Sequence, residues 1–212
     1  GNALGMSVHE SQSLLIEMQV CRSRPFVEWA APIMRDAFEG TGREWDAENL
    51  YNLYTRVKPD FIRVDADEVT YPAHIILRYR LERALLEGNM SLSDLPTAWN
   101  DGMKETLGIV PPSDREGCLQ DVHWFDGAWG YFPTYTLGAM TAAQIYASAC
   151  RNTPDIPACI AEGNFQPLMG WLVQNVHSKG RLISTENLLK MATGRSLTAD
   201  FFIDHLKARY LT

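Results

Sequence analysis

The chain has 212 residues, enough to bury one sizeable core or two small ones. At 46% hydrophobic and 21% charged it has the composition of a water-soluble globular protein. Its net charge of −7 speaks against nucleic acid as a partner, because phosphate recognition needs a basic face.

Helical periodicity dominates the chain. Ser7 to Arg22 places Leu14, Leu15, Met18 and Cys21 on one helical face. Phe26 to Phe38 follows and stops at Gly40. Asp46 is placed to cap a helix running to Val57, before Pro59. The longest candidate is Asp67 to Glu87, with Ile75, Ile76, Tyr79, Leu81, Leu85 and Leu86 as its apolar stripe and Gly88 as its stop. Leu95 to Leu107 closes at Gly108, and Pro133 to Cys150 is rich in small residues that allow close packing. Asn164 to His177, Thr185 to Ala192 and Thr198 to Arg209 complete the set. Gly117 to Tyr131 does not read as helix; its Gly, Asp and aromatic content suggests a short strand or hairpin. No linker divides the chain, so residues 1–212 are expected to form a single helical region.

No run of about 18 or more apolar residues is present, so no membrane span is expected. No secretory leader pattern opens the sequence. Cys21, Cys118, Cys150 and Cys159 are scattered, which suggests reduced thiols in a cytoplasmic protein.

Three segments carry chemistry-bearing residues. The first is His9-Glu10-Ser11-Gln12. A two-histidine zinc peptidase carries H-E-x-x-H on one helix and takes a third ligand, often Glu, from a later one. Glu10 suits that third position, with Ser11, Gln12 and Ser13 as hydrogen-bond donors around it. No H-E-x-x-H occurs in these 212 residues, and no two histidines stand at i and i+4. The competing reading is a helix N-terminus that favours an acidic residue.

The second segment is Ile62-Arg63-Val64-Asp65-Ala66-Asp67. Arg63 either grips a substrate carboxylate with its planar fork or pairs with Asp65 or Asp67, with Asp67 capping the next helix. The third is Gly117-Cys118-Leu119-Gln120-Asp121-Val122-His123-Trp124, followed by Tyr131 and Tyr135. A His N–H or Tyr O–H can stabilise the oxyanion of peptide hydrolysis. Asp121 is placed to orient His123 if the backbone there is extended. An aromatic loop packed on the core is the competing reading. His74, His177 and His205 are isolated and read as core or surface residues.

Together and in this order, the three segments resemble the motifs of the carboxypeptidase Taq family of metallocarboxypeptidases: H-E-S-Q, I-R-x-x-A-D and G-x-x-Q-D-x-H-W. The resemblance runs from Leu4 to Leu211 and implies a mainly α fold, the helical C-terminal lobe of a two-lobed, groove-containing enzyme that forms homodimers. It implies that Glu10 is the third zinc ligand, with cobalt or manganese as substitute metals. It implies substrate-binding roles for Arg63 and Gln120 and catalytic roles for His123, Tyr131 and Tyr135, on peptide C-termini as substrates. Without H-E-x-x-H, the expectation is a C-terminal fragment that is inactive alone and possesses no complete metal site. The alternative is a non-catalytic helical module or dimerisation partner that binds no metal.

Overall fold

A computed structural model describes residues 3–211. The described residues are helical and contain no strand. The chain divides into two compact units: Arg56–Thr136, and the two segments on either side of it. None of the described helices is long and apolar enough to cross a membrane.

The flanking segments form a helical body around one main apolar core. It opens with α1 (Met6–Leu14), which passes directly into a π-helical stretch, Leu15–Cys21. Then come α2 (Arg24–Ala37) and α3 (Ala47–Tyr54). After the inserted unit the chain continues through the long α6 (Pro133–Asn152), α7 (Ile156–Ala161), α8 (Gln166–Asn175), α9 (Thr185–Thr193) and α10 (Asp200–Tyr210). Leu15, Ala142, Ile145, Ile156, Ile160, Leu168, Leu172, Leu188 and Leu189 are buried together. Burying a side chain of this size contributes roughly 1.5–3 kcal/mol.

The small residues of α6 let α1 approach closely. A Cβ built on Gly138 would lie 3.0 Å from Glu10 Cβ and 3.1 Å from Leu14 Cδ1. The expected helix Ser7 to Arg22 is therefore present, but its second half is widened to π geometry. π-Helical turns are rare and gather at functional sites. The widened turn leaves the Met18 carbonyl to accept an N–H from Arg209 Nη1 at 2.8 Å.

The Arg56–Thr136 unit holds α4 (Tyr71–Leu86), α5 (Leu95–Leu107) and the irregular segment after them. Its core is Leu77, Leu81, Trp99, Met103 and Cys118. Pro72 stands in the first turn of α4, where its missing N–H costs nothing. Asp67 heads that helix: its carboxylate accepts from the Val69 and Thr70 backbone N–H groups, each at 2.9 Å.

The segment 117–131 is not the expected strand or hairpin. Successive local turns fill it: Leu119 N–H to Asp114 O, Asp126 N–H to Val122 O, and Ala128 N–H to His123 O at 2.8 Å. Gly127 and Gly130 adopt φ of 73° and 77°, which coils the backbone instead of extending it. Several of its N–H groups are taken by these local turns and that of Gly130 by the Glu82 carboxylate, so they are not offered to a ladder.

Candidate functional site

Within the Arg56–Thr136 unit a buried polar cluster gathers around one carboxylate, Asp121. Arg63 Nε and Nη2 both donate to Asp121 Oδ1, at 2.9 and 2.7 Å. Arg78 Nε donates to Asp121 Oδ2 at 2.6 Å. Each carboxylate oxygen is thus held by a different guanidinium, the arrangement that a planar fork makes strong. Arg63 and Arg78 are buried. Burial favours a neutral Asp121, but the Arg78 and Arg63 charges outweigh it and hold the carboxyl below its usual range. Burial lowers Arg78 to about 10, so it stays charged at neutral pH.

The second row of contacts fixes Arg63 from both ends. Its Nη1 donates to the Tyr71 hydroxyl at 2.6 Å. Its backbone N–H donates to Gln120 Oε1 at 2.8 Å. Gln120 Nε2 donates to the carbonyls of Phe61 (3.0 Å) and Glu116 (2.7 Å), so this side chain ties the 61–63 backbone to that of Glu116. Arg63 also lies over the Tyr135 ring, 5.1 Å from its centroid.

His123 is partly buried at the edge of this cluster. Its Nε2 and the Tyr135 hydroxyl are 3.0 Å apart. The Tyr131 ring is 5.6 Å from the imidazole and 5.4 Å from the Tyr135 ring. Asp121 does not orient His123 through a close hydrogen bond, since Oδ1 and Nδ1 are 4.0 Å apart. The coiled backbone explains this: side chains two apart share a face only in extended chain. Burial, then the Arg63 charge, push the His123 pKa down, so its imidazole is neutral at pH 7.

Glu10 lies in the other unit, in the middle of α1, with its side chain mostly buried beside an exposed His9. The Ser13 hydroxyl donates to the Glu10 carbonyl at 2.9 Å, Ser11 donates to Val8 O, and Gln12 Nε2 donates to Ser11 Oγ. Among the described residues no group of three or more His, Cys, Asp or Glu side chains is placed to hold a metal ion.

The structure therefore brings together Arg63, Gln120, His123, Tyr131 and Tyr135, all in one unit. It adds Tyr71, Arg78 and Glu82, which were not singled out from sequence, and His74, which reads from sequence only as a core or surface residue. His74 is fully buried, with Arg78 Nη1 donating to its carbonyl at 3.0 Å. Burial and the Arg78 charge lower the His74 pKa to about 4. A signal for three of them was available: His74, Arg78 and Glu82 are spaced by four, on one helical face.

Comparison with known proteins places the chain in a family. A family model described as carboxypeptidase Taq (M32) metallopeptidase matches residues 1–210. Thermostable carboxypeptidase 1 of Pyrococcus furiosus is 39% identical over 208 residues, covering 98% of this chain and 42% of the relative. Carboxypeptidase 1 of Bacillus subtilis is 39% identical over 205 residues, covering 97% of this chain and 41% of the relative. The structure of metallocarboxypeptidase 1 from Trypanosoma cruzi matches with a TM-score of 0.95 at 40% identity, over 99% of this chain and 44% of that one. The chain spans less than half the length of each of these relatives.

Proposed function

Because this chain belongs to the carboxypeptidase Taq (M32) metallopeptidase family, we propose that it is part of a metal-dependent carboxypeptidase that removes residues from the free C-termini of peptides. The family match over nearly the whole chain carries this reading. In it, residues 1–212 are one helical region, the C-terminal part of the catalytic domain of a two-lobed, grooved enzyme. The reading includes a cytoplasmic homodimer and zinc as the metal, with cobalt or manganese as substitutes.

The described residues do not make a metal site by themselves. Glu10 is the one candidate ligand, and a single carboxylate holds zinc weakly. In this reading the two imidazoles and the general base belong to H-E-x-x-H, a motif that these 212 residues do not contain.

The chain's own residues have definable tasks. His123 and Tyr135 share a hydrogen bond, so a carbonyl oxygen beside them meets an N–H or O–H as negative charge develops. Tyr131 borders the same spot and is assigned to the same carbonyl or to the substrate's terminal carboxylate. Arg63 donates from Nε, Nη1 and Nη2 to Asp121 and Tyr71, which supports an ordering role beside any contact to substrate. Gln120 acts with it, through the Arg63 backbone.

Two assays test this. The purified chain with added zinc or cobalt should show no turnover of N-blocked peptides; chelator-sensitive release of C-terminal residues would overturn its predicted inactivity. Fused to the portion of the Pyrococcus furiosus relative that it does not match, the chain should gain chelator-sensitive carboxypeptidase activity. Glu10→Gln should then weaken metal binding by more than ~10-fold. A folded fusion that binds no metal favours the rival reading, a helical module or dimerisation partner.

A further inference from the structure

Arg78 and Glu82 are charged residues buried in the body of α4, one turn apart, and helix formation requires neither. A buried charge is tolerated only with partners, so what each one holds is informative. Arg78 holds Asp121. Glu82 holds two donors at once: Trp124 Nε1–H to Oε2 at 2.8 Å, and the Gly130 backbone N–H to Oε1.

The positions of these anchors matter. Asp121 is two residues before His123, and Trp124 is the next residue after it. Gly130 immediately precedes Tyr131. The stretch from Trp124 to Gly130 is closed on itself by Gly127 N–H to Trp124 O at 3.1 Å and by the stacked Trp124 and Trp129 rings, 5.8 Å apart. It lacks any strand ladder that would set its place. The two side chains of α4 therefore take over the task that a sheet performs elsewhere.

We propose that Arg78 and Glu82 are positioning residues: one face of α4 clamps the turn-rich segment on both sides of His123 and just before Tyr131, and so sets where those two side chains stand. The proposal rests on the peptidase reading only in treating His123 and Tyr131 as substrate-facing. Its test needs no peptide hydrolysis.

The experiment follows the His123 titration by NMR and the exchange rate of the Trp124 indole N–H in the 212-residue chain. Glu82→Gln turns one carboxylate oxygen into a donor, which then opposes a donor of the loop. Indole exchange should accelerate at least ~10-fold, and the His123 pKa should move toward its free value of about 6.5. Helix content by circular dichroism should stay unchanged. Arg78→Lys keeps the charge but loses the fork, and should move His123 in the same direction. Arg83→Ala, which removes an exposed pair with Glu87, should change neither reading.

Should Glu82→Gln fail to fold, Trp124→Phe removes the donor and keeps the ring, and the His123 shift should persist. A folded Glu82→Gln or Trp124→Phe chain with the wild-type His123 titration overturns the proposal. An Arg83→Ala chain that shifts His123 equally also overturns it. Failure of the peptidase assays leaves these outcomes unaffected, so the two readings fall separately.

Discussion

The partner of Arg63 is Asp121, 58 positions away, and not its neighbours Asp65 or Asp67. Asp67 faces the Val69 and Thr70 N–H groups instead, where a carboxylate offsets unpaired donors at a helix start. Sequence spacing favoured the near carboxylates, but a buried guanidinium is best satisfied by a carboxylate that is itself mostly removed from water. His74 shows the energetic consequence of such burial. It is fully buried beside Arg78, and its pKa is lowered from 6.5 to about 4, with Arg63, Asp121 and Asp67 as the other charges it feels. The folded state therefore binds fewer protons than the unfolded state between those values, and stability falls as pH drops from about 6.5 to about 4. The full loss is about 3 kcal/mol, from the 1.36 kcal/mol of each pKa unit. Loss of the Asp121 ion pairs adds to this only below its unfolded pKa of about 3.9. Urea midpoints measured across pH 7 to 4 should fall for the wild type and fall distinctly less for His74→Phe; equal slopes would refute it. Some slope should survive in the variant, since His123 is also lowered.

At the scale of elements, α4 is where sequence pattern and burial part company. The expected apolar stripe included Ile76, Tyr79 and Leu86, all of which are exposed. The buried face carries Ile75, Leu77 and Leu81 together with His74, Arg78 and Glu82. Hydrophobicity misleads there because the inward face must supply donors and acceptors to a segment with no ladder of its own. The same lack of a ladder explains why 117–131 looked like a hairpin from composition but folds as turns. The pairing of α1 with α6 was legible only as a stripe of small residues. Gly138→Ala tests that contact. Its Cβ would stand 3.0 Å from Glu10 Cβ and 3.3 Å from the Ser11 N, so α1 must shift by a few tenths of an ångström. Overpacking costs about 1–3 kcal/mol, against a gain of about 1 kcal/mol in helix propensity. We expect a net loss of about 1 kcal/mol by urea denaturation; a stabilised variant would show that α1 moves freely.

At the scale of the whole molecule, the chain covers 42% of its Pyrococcus furiosus relative, and it exposes large apolar side chains such as Phe38, Leu92, Phe125 and Leu182. Exposed apolar surface promotes association. Sedimentation velocity should show a concentration-dependent dimer or larger species, and a strict monomer at high concentration would contradict this. The order of the helices other than α7, the glycine stops at Gly88 and Gly108, and the family itself were readable from the string of residues. They depend on short-range rules: periodicity, backbone freedom and motif order. The grouping of Arg63, Arg78 and Asp121, the anchoring of Trp124 and Gly130 on Glu82, and the burial of His74 required the folded chain. Each joins residues tens of positions apart, and the free energy of leaving a charge unpaired in the interior, which chooses such partners, depends on burial that no local pattern encodes.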